Sequence, residues 1–194
     1  MALTASKMLP LGTTAPSFNL LNVVTDQSES LRTHSGPKGT IVIFMCNHCP
    51  YVVHLLDVII KKAADWKAEG IHTIGISSNS VLTHPQDGPD KMKVLALEKS
   101  FNFPYLYDPE QKVAQAYDVA CTPDFYLFDA KLKLHYRGRF DAARPGNNEK
   151  ITGIDLDKAV NNMLQNKSPL PSQKPSMGCN IKWIPGHEPD GWNL

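Results

Sequence analysis

Residues 41–66, IVIFMCNHCPYVVHLLDVIIKKAADW, constrain the fold more than any other stretch of the chain. Ile41 to Met45 is a continuous apolar, β-prone run, as expected of a strand buried on both faces. The pattern then changes period. Val52, Leu55, Leu56, Ile59, Ala63 and Trp66 recur at steps of three and four, which gives one apolar helix face. Pro50 suits the first helical turn, where no intrahelical donor is needed. Gly70 suits the C-terminal stop. A buried strand therefore runs into an amphipathic helix, and two cysteines and a histidine stand at the junction.

The remaining segments continue the alternation. Ile71 to Ser77 reads as a second buried strand. Lys91 to Ser100 reads as a helix with Met92, Leu95 and Ala96 inward, and Phe103 to Tyr107 as a short extended piece. Asp108-Pro109-Glu110-Gln111 reads as a helix start, with Asp108 capping, Pro109 in the first position and Gln111 reaching back. Phe125–Phe128 and Leu132–Tyr136 form an expected hairpin around Asp129-Ala130-Lys131, and Asp155 to Gln165 a last helix. Met1 to Gly39 is expected to form a small hairpin or to cover one edge. Strand–helix alternation implies parallel strands with crossovers, and the hairpin adds antiparallel ones. The expected class is α/β, a mixed central sheet between helices, over residues 1–166. Residues 167–194 differ in composition. They hold five prolines, yet also Trp183, Trp192 and Cys179. This tail is expected to pack on the domain without regular structure, with Cys179 in a packing role away from the junction.

Composition narrows the function. A chain of 194 residues suits one domain. A net charge of +1 gives no electrostatic footprint for nucleic acid or an anionic membrane. No apolar run is long enough to span a bilayer, and MALTASKMLPLGTTAPSF lacks the apolar core of a signal peptide. The expectation is a cytoplasmic protein, where thiols are kept reduced. A close cysteine pair there is catalytic or metal-binding before it is a structural disulfide.

A Cys-x-x-Cys at a helix start places Cys46 beside unpaired backbone N–H groups and the positive end of the helix dipole. Both favour the thiolate, the nucleophile of disulfide exchange. Cys49, one turn on, can attack a mixed disulfide at Cys46 and release the partner. His48 can be cationic and favour a nearby anion. On this reading Cys46 is the more exposed sulfur. Cys46, His48 and Cys49 also suit copper or zinc, but a closed zinc site needs a distant fourth ligand and no second Cys-x-x-Cys exists. No cofactor is called for. His54, His72 and His84 read as surface or packing residues, and Arg137-Gly138-Arg139 as a strand end at a solvated edge.

Four stretches carry a family resemblance: Ala15-Pro16-Ser17-Phe18, Cys46-Asn47-His48-Cys49-Pro50-Tyr51, Cys121-Thr122-Pro123-Asp124-Phe125 and Gly178-Cys179-Asn180-Ile181-Lys182-Trp183. Together they resemble the thioredoxin superfamily, in its peroxiredoxin-like branch related to AhpC/TSA redoxins. The resemblance implies a thioredoxin fold and thiol–disulfide chemistry, with protein or small-molecule thiols and disulfides as partners and a thioredoxin-type electron donor. It implies Cys46 and Cys49 as catalytic residues, supported by Asn47, His48, Pro50, Cys121, Thr122 and Pro123. It also implies a cis Thr122–Pro123 bond facing Cys46, where an incoming peptide could add as a strand. Asp124 is then the best placed helper carboxylate. Cys121 is a buried small residue or a third redox thiol, and Cys179 a packing residue before a resolving one.

The departures order the functions. Peroxiredoxins have Thr three residues before the reactive Cys, where this chain has Ile43 before Cys46 and Cys46 before Cys49. Their peroxide-binding Arg has no evident counterpart near Thr122. Thioredoxin's Trp and buried Asp correspond to Met45 and Thr40. A thiol–disulfide oxidoreductase is the first reading, a thiol peroxidase with an antioxidant role the second, and a metal-binding module of the same fold the third.

Overall fold

The computed structural model describes residues 3–189 and Trp192. Chain order is β1 (Leu3–Ala5), β2 (Asn19–Asn22), β3 (Gln27–Ser30), α1 (Leu31–His34), β4 (Gly39–Phe44), α2 (Pro50–Ala68), β5 (Ile71–Ser77), a 3₁₀ turn (Pro85–Asp87), α3 (Pro89–Glu98), β6 (Tyr105–Tyr107), α4 (Lys112–Ala116), β7 (Cys121–Thr122), β8 (Asp124–Asp129), β9 (Leu134–Gly138), α5 (Ile154–Leu164) and β10 (Met177–Asn180).

β4 is the keystone. All six of its residues are buried. Ile41 and Ile43 join the apolar cluster that contains α2, and Val42 and Phe44 join a second cluster on the opposite face. This is the period-two alternation of a strand with both faces covered. The main sheet has the order β3-β2-β6-β5-β4-β8-β9. β4, β5 and β6 are parallel, and β8, β9, β2 and β3 are antiparallel to their neighbours. The mixed sheet between helices matches the expected class.

The long helix forms as its pattern requires. Pro50 opens α2, and Val52, Leu55, Leu56, Ile59, Ala63 and Trp66 are its buried face. Burying one side chain of this size contributes roughly 1.5–3 kcal/mol, so the face anchors the cysteine junction firmly. Asp157 of α5 ties the far end, accepting from Trp66 Nε1 at 2.9 Å and pairing with Lys62.

Three expectations change. The helix after Asp108 starts later, at Lys112, because Gln111 takes a left-handed conformation (φ 59°). Asp108 still caps, accepting from Val113 and Ala114 N–H. The Gln111 side chain reaches not back but outward, donating to the Ser78 and Lys182 carbonyls and accepting from Ile184 N–H. It thereby clamps the tail.

The tail also contains a strand. β10 pairs antiparallel with β1 on one side and β7 on the other, a separate three-stranded sheet. Gly178 permits it: a Cβ there would stand 1.9 Å from the Thr122 carbonyl oxygen. Trp183 is buried, edge-on to Trp192 at 5.8 Å.

The Arg137-Gly138-Arg139 edge is not solvated at Arg137. The tail runs along it, with Gln173 Oε1 accepting Arg137 N–H and the Lys174 carbonyl accepting Arg139 N–H. Covering an edge strand in this way hides its unpaired backbone groups. Arg137 is fully buried, 3.0 Å from Asp124 and over the Tyr126 ring.

Candidate active site

β4 delivers the chain to the site. Met45 N–H still bonds the Ile76 carbonyl, after which Cys46 to Cys49 turn into α2. Val53 N–H donates to the Cys49 carbonyl and starts the helix ladder. Pro50 caps nothing but sets this start, as the first helical residue.

Both sulfurs are buried, Cys46 being 1% and Cys49 0% exposed. The expected exposure of Cys46 is therefore not found. Its sulfur lies between His48 Nδ1 at 3.8 Å and the Thr122 hydroxyl at 3.6 Å. The Cys49 thiol donates to the Thr122 carbonyl at 3.1 Å. The Thr122–Pro123 bond is cis, and through Thr122 this loop from the distant half of the chain meets the cysteine pair.

A residue that sequence reasoning missed organises this turn. Asp87, fully buried, accepts from the backbone N–H groups of Asn47 (2.9 Å) and His48 (3.2 Å) through Oδ1. Through Oδ2 it meets His48 Nδ1 at 2.6 Å and Asn79 Nδ2 at 2.9 Å. Burial works against its ionisation, but the bonds from His48 and Asn79 win and hold it below the usual carboxylate range. An ionised Asp87 makes His48 Nδ1 the donor. The only sequence signal for Asp87 is its loop, which follows the C-terminal end of a parallel strand where α/β sheets assemble their sites. His84, on the same loop, stacks on His48 at 4.9 Å. Asn47 accepts from Tyr105 and donates to the Gln86 carbonyl, which fixes the loop to both flanks.

Asp124, expected as the helper carboxylate, serves elsewhere. It bonds Arg137 at 3.0 Å and Tyr126 at 3.1 Å. Burial, only partly offset by Arg137, pushes it up to about 6. Cys121 is buried, and its sulfur reaches the carbonyls of Pro123 and Ser176 at 4.0 Å. Burial, then Asp124, raises its thiol well above the usual range.

Cys179 overturns its expectation of a distant packing role. On β10 it stands across from Thr122, is buried, and hydrogen-bonds Cys49. Burial, then the Cys49 bond, pushes its thiol up to about 12. Three sulfurs therefore meet around Thr122.

The Cys46–Cys49 hydrogen bond dominates their electrostatics. Against the cost of burial it brings Cys49 down to about 5, and with burial it pushes Cys46 well up. This reverses the order that the helix dipole alone predicts. The values belong to the pair rather than to either sulfur. The Thr122 carbonyl accepts from the Cys49 thiol when that sulfur holds the proton. Proton transfer from Cys46 to Cys49 then leaves a Cys46 thiolate beside the Thr122 hydroxyl and His48.

Cys46, His48 and Asp87 also bring three ligand atoms within 4.8 Å of one another. The 2.6 Å between His48 Nδ1 and Asp87 Oδ2 is shorter than the about 3.3 Å between ligands of a tetrahedral zinc ion with bonds near 2 Å. The spacing suits a shared proton rather than an ion.

No curated protein matches the chain. An uncharacterized conserved protein from Geobacillus kaustophilus is 42% identical over 96% of this chain and 98% of its own, with a TM-score of 0.93. A hypothetical protein from Sinorhizobium meliloti 1021 is 38% identical over 94% of this chain and 100% of its own, at 0.91. The thioredoxin domain of a thiol-disulfide oxidoreductase from Bacteroides vulgatus, 18% identical over 79% of this chain and 99% of its own, gives 0.61 and shows the shared fold. The fold is that of thioredoxin, and no helix among the described residues is long and apolar enough to cross a membrane. The AhpC/TSA family model matches residues 11–137, a span that holds β4, the cysteine turn, Asp87 and the cis-proline loop, and the chain accordingly belongs to the AhpC/TSA family.

Proposed function

We propose that the chain is a thiol–disulfide oxidoreductase in which Cys46 attacks and Cys49 resolves. The observation that carries this reading is the Cys46–Cys49 pair at the start of α2, with Thr122 in contact with both sulfurs. The Cys46 thiolate attacks one sulfur of a substrate disulfide, and the departing thiolate takes a proton. Cys49 loses its proton and attacks Cys46 in the mixed disulfide. The second substrate thiol leaves, two electrons have passed to the substrate, and Cys46–Cys49 is a disulfide. A thioredoxin-type dithiol in a reducing, cytoplasmic setting restores it. Asn47 and His48 act through Asp87, which pins the turn, and Thr122 orients both sulfurs. Residues 1–166 carry this two-cysteine chemistry, and β10 of the tail lies against Thr122.

Peroxidase chemistry has less support. Among the described residues no arginine hydrogen-bonds either sulfur, and Arg137 is committed to Asp124. The test is trapping. Cys49→Ser should accumulate mixed disulfides with protein or glutathione, and Cys46→Ser should form none. Rapid peroxide consumption by either variant with excess dithiothreitol, and no trapped partner, would replace this reading with the peroxidase.

A further inference from the structure

The tail strand occupies the edge that a substrate strand would use. Cys179 pairs across from Thr122 and Asn180 from Cys121, so the backbone beside the cis-proline is already paired. The seat is close-fitting, since Gly178 approaches the Thr122 carbonyl where no side chain fits. It is also held from both sides. Ser6 and Ser176 exchange hydrogen bonds before β10. After it, Asn79 accepts Lys182 N–H while donating to Asp87, so one side chain joins the tail to the carboxylate under the cysteine turn. Cys46, Cys49 and Cys179 share one buried cluster, and the Cys179 thiol contacts Cys49. None of this is needed for a two-cysteine cycle.

We propose that Cys179 is a third exchange thiol, which takes the disulfide from Cys46–Cys49 and forms Cys49–Cys179. The proposal rests on the oxidoreductase reading for the source of that disulfide. In the step, the Cys179 sulfur loses its proton and bonds to Cys49 Sγ. The Cys46–Cys49 bond breaks, and Cys46 leaves as a thiolate that takes up a proton. No net oxidation occurs, because the disulfide only moves; the oxidising equivalent came from the substrate disulfide. Forming Cys46–Cys49 makes the Cys49 sulfur an electrophile beside Cys179. The product bolts β10 to α2 across the Thr122 edge. The oxidised chain thereby closes its own strand-docking edge and leaves Cys46 a reduced thiol.

The test maps disulfides in the full chain. Wild type is equilibrated with oxidised glutathione, alkylated, digested and read by mass spectrometry. The expected result is a Cys49–Cys179 peptide with Cys46 alkylated, beside Cys46–Cys49. In Gly178→Ala, where β10 cannot seat, the first peptide should fall to background while the second persists. Cys46→Ser treated with diamide should still form Cys49–Cys179. Finding only Cys46–Cys49 in wild type, or no Cys49–Cys179 in oxidised Cys46→Ser, would overturn the proposal. Failure of the oxidoreductase reading looks different: wild type would form neither bridge with glutathione, while the diamide arm would still decide whether Cys49 and Cys179 can join.

Discussion

Asp87 accepts the His48 Nδ1 proton across 2.6 Å and, through its other oxygen, the backbone N–H groups of Asn47 and His48. A single buried carboxylate thus holds the whole turn between the cysteines. It also stands near enough to Cys46 for its charge to raise that thiol.

Replacing Asp87 by Asn keeps the shape and removes the charge. Cys46 should then become more acidic, seen as a lower midpoint in its alkylation-rate profile. The weakened bonds to His48 and the turn should cost about 1–3 kcal/mol of stability in urea unfolding. An unchanged Cys46 profile would show that the carboxylate acts on packing alone.

The cysteine pair makes the reduced fold pH-dependent. Cys49 is at about 5 in the folded chain against an ordinary 9.0. A depressed folded value adds stability that is fully present above the unfolded value and is lost as pH falls toward 5. Reduced wild type should therefore gain stability over Cys49→Ser between pH 5 and pH 9. Urea midpoints of both chains under reducing conditions check this, and parallel curves would refute it.

Gly178→Ala should dislodge the tail. The added Cβ would meet the Thr122 carbonyl at 1.9 Å, against backbone that cannot yield. The expected outcome is faster proteolysis within residues 167–176 and faster alkylation of Cys46, because the cover over the site is loosened. Equal rates in both chains would mean that β10 does not shield the cysteines.

Arg137 and Asp124 form a fully buried ion pair. Arg137→Met leaves an unpaired buried carboxylate and should cost about 3–5 kcal/mol. Adding Asp124→Leu should recover much of that loss, since no charge is then left in the core. Chemical denaturation of the two single variants and the double variant measures the coupling. Additive losses would contradict it.

Much of this molecule is local in origin. The run Ile41–Met45, the apolar face from Val52 to Trp66 and Pro50 between them determine a buried strand, a helix and the position of Cys46 and Cys49 at their junction. Side-chain period and backbone chemistry act over a few residues, so these features can be read without the fold. The tertiary structure decided the rest. Asp87 stands among turn residues and becomes the site carboxylate only because β5 carries its loop to the end of β4. Asp124 looks equally suited from its place beside Pro123, yet Arg137 claims it from the neighbouring strand. The helix dipole points to Cys46 as the thiolate. The sulfur–sulfur hydrogen bond instead lowers Cys49 and raises Cys46, a contact that exists only once the turn is folded. Cys179 lies 130 residues from Cys49 in sequence. Only the pairing of β10 with β7, which needs Gly178 against Thr122, brings the two sulfurs together; strand partners that distant are chosen by the fit of the assembled fold rather than by any local pattern.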